Sequence, residues 1–241
     1  MKIGAIVQAR MGSTRFPGKV LKPLAGVPLL WHTLHRLTQV REIDEVILAT
    51  SALDRDDPLA GFARKERIPV FRGSEDDVLE RYCLAAREYR LDGVVRITAD
   101  CPLIDPDVTA RTVRLFLETG ADFASNTLKR TFPRGTDTEA FSADALERAH
   151  AGALRQEERE HVTLHMYTHP EMFVCRGLEN DVDLSHIRHC VDYERDYLFV
   201  KALFHHLGGQ NLFFSTKDVQ RIVLEHPWLL EINAGLEQRI P

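Results

Sequence analysis

The sequence predicts an α/β protein in which a mostly parallel sheet carries helices on both faces. Short apolar runs rich in β-branched residues recur through the first hundred residues, and each run ends in Gly, Pro or polar residues. Segments with helical spacing separate these runs. Strands that alternate with helices form a parallel sheet covered on both faces. The loops that follow the strands then lie along one edge of the sheet, where ligands bind.

The predicted elements follow this pattern up to residue 98. Strands are predicted over residues 3–7, 45–50, 69–72 and 93–98, and helices after Pro28 and over residues 57–67 and 76–89. From about residue 132 a polar, turn-rich segment, FPRGTDTEAF, changes the pattern, and helices over 143–150 and 157–169 and a strand over 172–176 follow. We interpret residues 132–187 as an insertion beside the sheet of a single domain that spans residues 1–241. A strand over 189–192 is predicted to rejoin the sheet, before helices over 194–206 and 217–225.

The composition excludes several classes of protein. With 31 Lys and Arg residues against 36 Asp and Glu, the chain has a formal charge of -5, so a dedicated nucleic-acid binder is not expected. The four cysteines form no C-x-x-C pair, which excludes a zinc ribbon and fits a reducing cytoplasm. No apolar run reaches the length of a signal peptide or of a membrane span. We therefore expect a soluble cytoplasmic protein in which any site for a polyanion is local.

The segment after the first predicted strand carries a cluster of cations. Residues 8–19 have the sequence QARMGSTRFPGK and include Arg10, Arg15 and Lys19. The glycines of the segment, Gly12 and Gly18, let backbone N–H groups approach anionic oxygens, and the Arg and Lys side chains neutralise phosphate charge. The segment is not a P-loop, because its glycine spacing differs and Val follows the Gly-Lys pair. We interpret it as a polyphosphate-binding loop, with a solvated basic turn as the alternative.

Two aspartates come next to predicted strands. Asp100 follows the strand over 93–98 at the ligand edge of the sheet, where hard cations such as Mg²⁺ take carboxylate and phosphate oxygens. The alternative for Asp100 is a cap of the turn ahead of Asp105 and Asp107. Asp192 ends the strand predicted over 189–192. Because Asp is a favoured cap residue, the alternative there is an N-cap of the helix that begins at Tyr193.

Two further segments carry polar side chains at defined positions. Residues 72–81, RGSEDDVLER, join a short strand to a helix and suit recognition of a base edge through backbone groups. The alternative is that Ser74 or Asp76 serves only as a helix cap. His161, His165 and His169 are spaced four residues apart, which would align them on one helical face. Because neither an H-E-x-x-H motif nor a matched acidic ligand accompanies them, we do not predict a zinc site.

Five segments of the sequence resemble one known family. They are VQARMGSTRFPGKVLKPLAGVPLL, GSEDDVLERY, VRITADCPLIDP, EREHVT and CVDYERDYLFV. The first resembles the opening motif of the cytidylyltransferases that activate acidic sugars, such as the KDO and sialic acid CMP-sugar synthetases. The next three resemble the spore-coat polysaccharide biosynthesis branch, and the last resembles a block written V-D-x-x-x-D, although the proline common there is absent after Asp192. The segments occur in the family's order between residue 3 and about residue 203.

The resemblance implies a GT-A-like, Rossmann-type nucleotidyltransferase that uses CTP and Mg²⁺. An oxygen of an acidic sugar or sugar-phosphate acceptor would attack the α-phosphorus of CTP and release pyrophosphate, with catalysis supplied by positioning and charge neutralisation. The resemblance also implies a homodimer whose contact involves residues 132–175. Asp196 is expected to stay on the surface of its helix.

Several residues of this sequence match site positions of the family. Those matched to catalysis are Arg10, Lys19 and Asp100, and those matched to the metal are Asp100 and Asp192. Those matched to nucleotide binding are Ala9, Arg10, Gly12, Ser13, Arg15, Lys19, Ser74, Asp76 and Arg81. Those matched to the acceptor side are Thr136, Glu139 and His161. For Arg81 the alternative is a solvated arginine on a helix.

Two other functions are compatible with the sequence. A glycosyltransferase that uses a finished nucleotide sugar would keep the fold and present a D-x-D metal motif, for which Asp105-Pro106-Asp107 is the nearby match. A non-catalytic nucleotide-sugar-binding subunit of a polysaccharide-assembly complex would not need an intact basic loop. Because that loop occurs together with Asp100, the sequence favours the enzyme.

Overall fold

The computed structural model describes residues 1–208 and 214–236. Its strands are β1 (Ile3–Gln8), β2 (Pro23–Leu24), β3 (Val27–Pro28), β4 (Glu45–Ser51), β5 (Val70–Gly73), β6 (Gly93–Thr98), β7 (Phe123–Ser125), β8 (Glu139–Ser142) and β9 (Cys175–Gly177). Its α-helices are α1 (Leu29–Leu37), α2 (Asp57–Lys65), α3 (Val78–Glu88), α4 (Pro106–Thr119), α5 (Ala143–Gly152), α6 (Gln156–Glu160), α7 (Leu164–Thr168), α8 (Glu194–His206) and α9 (Thr216–Glu225). Within the described residues, no helix combines the length and the apolar character that a membrane crossing requires.

The central sheet has the strand order β5-β4-β1-β6-β8-β7-β9. β5, β4, β1 and β6 pair in parallel, and β9 is parallel to β7. Among the strands described, only β8 runs antiparallel to its neighbours in this sheet. The predicted mostly parallel sheet is therefore confirmed. The chain builds outward from β1 through β4 to β5 and then returns to β6 on the other side of β1, so the strand order reverses between β1 and β6.

Apolar side chains alternate along the strands and fill a core on each face of the sheet. In β1, Ala5 and Val7 belong to one core together with Leu34 of α1, whereas Ile6 belongs to the other core together with Leu79 of α3. This two-residue period sends successive side chains to opposite faces, and both faces are buried. The predicted placement of helices on both faces is confirmed.

The C-terminal helices form a third apolar cluster. Phe199 and Leu203 of α8 pack with Val219 and Ile222 of α9 and with Leu29 at the start of α1. The helices predicted over 194–206 and 217–225 are therefore present, and their packing fixes the start of α8 beside the carboxyl ends of the strands.

The sequence pattern placed all of residues 132–187 beside the sheet, but two short parts of this segment, β8 and β9, are strands of the sheet itself. β8 is inserted between β6 and β7, where Ala140 pairs with Val95 on one side and Ala124 on the other, and β9 extends the sheet beyond β7. The strand predicted over 189–192 is wrong, because these described residues form no strand and the chain makes an isolated bridge from Arg134 to Arg188 instead. The pattern also gave no sign of α4 or of the three-residue strand β7.

The helix predicted over 157–169 is in fact two short helices, α6 and α7, separated by a tight turn. Val162 has a φ of 48°, and the Thr163 N–H donates to the His161 carbonyl at 2.5 Å. A γ-turn of this sense is strained, and a β-branched residue makes it more so. The predicted alignment of the three histidines is therefore wrong: the tilted rings of His165 and His169 have centroids 4.0 Å apart, while His161 lines the cleft.

Candidate active site

A cleft of about 230 Å³ lies at the carboxyl ends of β1 and β6. This is the point of the sheet at which the strand order reverses, where open α/β sheets bind their ligands. Of the residues singled out from the sequence, those that line the cleft are Ala9, Arg10, Ser13, Arg15, Lys19, Arg81, Asp100, His161 and Asp192. Of the residues matched to site positions of the family, those that do not line it are Gly12, Ser74, Asp76, Thr136 and Glu139.

The loop after β1 follows a fixed path. The Met11 N–H donates to Asp56 Oδ1 at 2.7 Å, which ties the loop to the segment after β4. At the far end Gly18 has a φ of 66°, a left-handed conformation that favours glycine, and a short 3-10 helix begins at Lys19. The buried Lys19 side chain is thereby directed to the edge of the sheet.

Lys19 joins the two predicted aspartates in this cleft. Its Nζ donates to Asp100 Oδ2 at 2.8 Å and to Asp192 Oδ1 at 3.0 Å. Burial alone would lower the pKa of Lys19, but the two carboxylates outweigh it and raise the pKa, so the ammonium stays charged. Burial would raise the pKa of Asp100, but the contact with Lys19 outweighs it and lowers the pKa. The fold thus brings together three charged groups that are far apart in the sequence.

Asp192 accepts hydrogen bonds from cationic side chains and does not cap a helix. Arg15 Nη2 lies 2.7 Å from Asp192 Oδ1, and Arg188 Nη2 lies 3.0 Å from Oδ2. The start of α8 is capped by Asp196, whose Oδ2 accepts the N–H groups of Asp192 and Tyr193 at 3.0 Å. The N-cap alternative for Asp192 is therefore wrong. The surface position expected for Asp196 is also wrong, because its side chain is fully buried and accepts from Arg188 Nε at 2.9 Å.

The segment that carries Asp192 is held by close backbone contacts. The Val191 N–H donates to the Asp100 carbonyl at 2.8 Å, and the Cys190 N–H donates to the carbonyl of Arg134, the residue before Gly135, at 3.2 Å. Gly135 has a φ of 106°, and a Cβ at this position would lie 2.6 Å from the Cys190 nitrogen. Glycine is required there both for its conformation and for its size.

Three arginines supply hydrogen-bond donors to the cleft. Arg10 is exposed, and within residues 1–208 and 214–236 its side chain makes no hydrogen bond or ion pair. Arg81 is buried, so the alternative of a solvated helix arginine is wrong. Its Nη1 donates to the Ser74 carbonyl at 2.6 Å, but its Nε and the Nη1 of Arg15 are buried without a partner among the described residues. Burial lowers the pKa of Arg81, and Arg10 adds to the effect. Unpaired cationic donors suit an anionic ligand.

The loop before α3 is organised by Asp77. The Asp77 carboxylate accepts the Glu80 N–H at 2.8 Å and caps α3, and the Ser74 Oγ accepts the Asp77 N–H at 3.0 Å. Asp76 is exposed and is not the cap. Glu75 is the residue of this loop that lines the cleft, together with Val78 at the start of α3. Recognition of a base by Ser74 and Asp76 remains a prediction.

The three residues matched to the acceptor side have different surroundings. Thr136 is fully buried, and its Oγ1 donates to the Pro133 carbonyl at 2.8 Å. Glu139 pairs at 2.5 Å with Arg96, which lines the cleft. His161 lines the cleft itself, and burial lowers the pKa of its imidazole, which is therefore neutral near pH 7.

The D-x-D alternative does not fit the geometry. Asp105 caps α4, because its Oδ1 accepts the N–H groups of Asp107 and Val108 at 2.8 and 3.4 Å. Its Oδ2 accepts the Thr216 N–H at 2.6 Å, so both oxygens are engaged inside the protein. Asp107 is exposed on the first turn of α4. The same contacts show that the cap ahead of α4 is Asp105.

The sequence pattern did not identify three residues that build the cleft. Arg96 lines it, and Arg188 and Asp196 hold Asp192 in place. The single cation Arg96 in an otherwise apolar strand could have indicated the first of these, and Asp196 is the second aspartate of the V-D-x-x-x-D block. No signal in the sequence pointed to Arg188. Glu160, which belongs to the segment EREHVT that resembles the family, lines the cleft together with His161.

Comparison with known proteins identifies the family. The sequence model of the family described as Cytidylyltransferase matches residues 4–219. The chain is 34% identical over 210 residues to the spore coat polysaccharide biosynthesis protein SpsF of Bacillus subtilis, an alignment that covers 84% of this chain and 86% of the relative. It is 31% identical over 183 residues to a 3-deoxy-manno-octulosonate cytidylyltransferase of an Anaeromyxobacter species, covering 69% of this chain and 73% of the relative. The solved structure of a cytidylyltransferase from Leptospira borgpetersenii is 34% identical, with a TM-score of 0.93 over 99% of this chain and 100% of that chain. The chain belongs to the cytidylyltransferase family.

Proposed function

We propose that this cytidylyltransferase uses CTP to activate an acidic sugar or sugar phosphate for surface-polysaccharide synthesis and releases pyrophosphate. The relatives named for spore coat polysaccharide biosynthesis and for 3-deoxy-manno-octulosonate support this substrate class. The observation that carries the proposal is the contact of Lys19 with both Asp100 and Asp192 at the switch point of the sheet. Such an arrangement combines cations for phosphates with carboxylates for a divalent ion in one cleft.

The cations of the cleft would bind and orient the triphosphate. Arg10 has a free guanidinium, and Arg15 and Arg81 each present a buried donor without a partner among the described residues. Lys19 would neutralise phosphate charge while it stays in contact with the carboxylates. The acceptor oxygen attacks the α-phosphorus, the bond from that phosphorus to the bridging oxygen breaks, and pyrophosphate leaves with its electron pair. Positioning and charge neutralisation supply the catalysis, and no covalent intermediate on the enzyme is needed.

Asp100 and Asp192 are the residues that would hold Mg²⁺. Their carboxylate oxygens converge on one ammonium at 2.8 and 3.0 Å, so the fold already directs both groups to a single cation. Carboxylate oxygens are the donors that Mg²⁺ prefers, and substrate phosphates commonly complete its shell. The ion would supply charge neutralisation of the phosphates. Arg188 and Asp196 keep Asp192 oriented toward the cleft.

The wall that contains His161 would contact the acceptor. Because its imidazole is neutral, His161 can exchange hydrogen bonds with sugar hydroxyls, whereas the acid group of the acceptor would be attracted to the arginines across the cleft. Glu139 would act through Arg96, with which it pairs, and Thr136 through the turn in which it is buried.

We also propose that the domain has the GT-A-like arrangement and works as a homodimer with a contact in residues 132–175. Leu154, Met172 and Val174 in this segment expose apolar side chains, and β9 next to it is an edge strand of the sheet. Light scattering should give twice the 27.5 kDa chain mass at micromolar concentration. A mass of one chain across that range would contradict the dimer.

A panel of nucleotides tests the proposed reaction. Pyrophosphate release is measured with each of the four common NTPs, in the presence of candidate acidic sugars and sugar phosphates. We expect release with CTP that depends on both an acidic acceptor and Mg²⁺. Turnover of a finished nucleotide sugar without pyrophosphate would identify a glycosyltransferase, and binding without turnover would identify a binding subunit; either result would overturn the proposal.

A further inference from the structure

A cluster outside the cleft combines two imidazoles with a carboxylate. Glu158 of α6, His165 of α7 and His169 directly after α7 each offer one ligand atom, and these atoms lie within 4.8 Å of one another. Glu158 and His165 are buried, and His169 is half-buried. The reaction proposed above uses none of the three side chains.

The separations in this cluster approach those of a metal site. Glu158 Oε1 lies 3.0 Å from His165 Nδ1, and the centroid of the His169 ring lies 4.0 Å from that of His165, with the two rings tilted by 31°. In a tetrahedral site with bonds of about 2.0–2.2 Å, neighbouring ligand atoms are about 3.3–3.6 Å apart. The Glu158–His165 pair is therefore close to the required spacing, and a small rotation of the half-buried His169 side chain would complete it.

The hydrogen bonds of the two imidazoles leave lone pairs for a cation. His169 Nδ1 lies 2.9 Å from the His165 carbonyl, and because a carbonyl only accepts, Nδ1 carries the proton and Nε2 presents a lone pair. Metal-bound histidines are commonly oriented by such a bond from the other ring nitrogen. The buried His165 Nε2 has no partner among the described residues, so it can take the proton when Nδ1 gives its lone pair to a cation.

We propose that Glu158, His165 and His169 bind a divalent cation of the zinc class. Two imidazoles and one carboxylate are a donor set that Zn²⁺ favours, whereas Mg²⁺ prefers oxygen ligands. The cation would join α6 to α7 across the strained turn at Val162, which carries His161 into the cleft. Its role is to hold that turn in place.

A metal-free ion pair is the competing account of the same contacts. Glu158 Oε1 also accepts from Arg155 Nη2 at 3.1 Å, and a protonated His165 would complete a charged brace between the helices. The Arg155 side chain is 60% exposed, so it can move into solvent when a cation takes its place. The two accounts differ in one measurable property, because a brace alone binds no stoichiometric cation.

The test uses the full chain without an affinity tag, dialysed against a chelator and then kept in Mg²⁺. We expect calorimetry to show one equivalent of Zn²⁺ bound at micromolar or lower concentration, Co²⁺ to give the visible absorption of a tetrahedral site, and Zn²⁺ to raise the melting temperature. His169→Ala and Glu158→Gln should each weaken Zn²⁺ binding by at least about 10-fold, because even the loss of an outer-shell partner of a metal ligand costs about 10–100-fold. The matched control is the double variant His206→Ala with His226→Ala, which removes two histidines whose rings lie 4.2 Å apart elsewhere on the surface.

Each outcome decides the proposal. Binding that is retained in the control variant and lost in His169→Ala supports the site, and the partial exposure of His169 makes this variant the decisive one if Glu158→Gln fails to fold. Less than half an equivalent bound by the wild-type chain would overturn the site in favour of the ion-pair brace. Equal affinity in His169→Ala and the wild type would overturn it as well.

Discussion

The two walls of the cleft differ in the backbone structure that forms them. The parallel wall consists of residues 9–19 and Asp100, which directly follow the parallel strands β1 and β6. The irregular wall is formed by residues 135, 161 and 188–192, of which His161 and Asp192 line the cleft. Backbone hydrogen bonds to Arg134 and Asp100 hold the segment that carries Asp192, and His161 precedes a strained turn. The parallel wall follows from a repeating pattern, whereas the irregular wall exists only because distant segments contact each other.

Removing a carboxylate from either wall should have the largest effect. Asp100→Asn and Asp192→Asn keep the side-chain shape but lose the charge, and we expect kcat to fall on the order of 10²–10³ with a smaller change in CTP binding. Asp192→Asn should also lower the melting temperature more than Asp100→Asn, because Asp192 contacts three cations and Asp100 contacts one. Steady-state kinetics and thermal melting measure both effects. Asp107→Asn, at an exposed carboxylate outside the cleft, is the control and should keep the wild-type kcat.

The cations of the parallel wall should contribute to binding of the phosphates of CTP and not to binding of its nucleoside. We expect Arg10→Ala and Lys19→Ala to weaken CTP about 10- to 100-fold, the usual cost of a charge-assisted contact, and to change cytidine binding little. Arg10 is the cleaner site, since Lys19→Ala also releases two carboxylates. Calorimetry with both ligands measures the difference. Arg87→Ala, at an exposed arginine paired with Glu147, is the control, and equal losses for CTP and cytidine would exclude the phosphate role.

The backbone of the irregular wall can be tested with two glycines of similar conformation. Gly26 has a φ of 88° and Gly135 a φ of 106°, but of the described atoms none lies within 4 Å of a Cβ at Gly26. Alanine at either position should cost about 1–2 kcal/mol of unfolding free energy from its conformation. Gly135→Ala should cost about 1–3 kcal/mol more from overpacking against Cys190 and should also lower kcat, because Asp192 moves. Equal denaturation midpoints for the two variants would show that the close approach of Gly135 to Cys190 does not fix the backbone of this wall.

Burial of the irregular wall should make stability depend on pH. Burial lowers the pKa of His189 from 6.5 to about 4. As the pH falls, His189 therefore binds a proton in the unfolded chain before it does so in the folded chain. The contribution of neutral His189 to folding stability is fully present above about pH 6.5 and is lost as the pH falls toward 4. His189→Leu should remove on the order of 1–2 kcal/mol of the stability difference between pH 7 and pH 5. Denaturation at the two pH values measures it, His205→Gln at an exposed site is the control, and an unchanged pH dependence in His189→Leu would contradict the assignment.

The sequence predicted the parallel wall because local patterns determine it. The loops with glycine, cations or Asp100 directly follow short apolar strands. Because these strands are parallel, the side chains of the loops lie at one edge of the sheet, and this position does not depend on how the later part of the chain folds. The same reasoning failed for β8, a four-residue strand that enters the sheet antiparallel between β6 and β7. Its position depends on long-range pairing, which leaves little trace in so short a segment.

Individual residues in and next to the irregular wall show the same limit. Asp196 lies in the first turn of α8, where the local sequence does not distinguish a carboxylate that faces solvent from one that pairs with the buried Arg188. Its burial was therefore not predicted. The helical spacing of His161, His165 and His169 continues across a break at Val162, and a β-branched residue gives no signal for a left-handed turn. The metal role of Asp100 was proposed from its position after a strand and from the resemblance, and that of Asp192 from the resemblance. Their convergence on Lys19 became visible only in three dimensions.

The central claim is that both walls contribute to one catalytic unit, and a double-mutant cycle tests it most directly. The kcat for pyrophosphate release is measured for the wild type, Asp100→Asn, Asp192→Asn and the double variant, all at saturating CTP and Mg²⁺. If the two carboxylates act on the same ion, the double variant loses about as much as either single variant, on the order of 10²–10³. Losses that multiply to roughly 10⁴–10⁶ would show two independent roles and would contradict the claim.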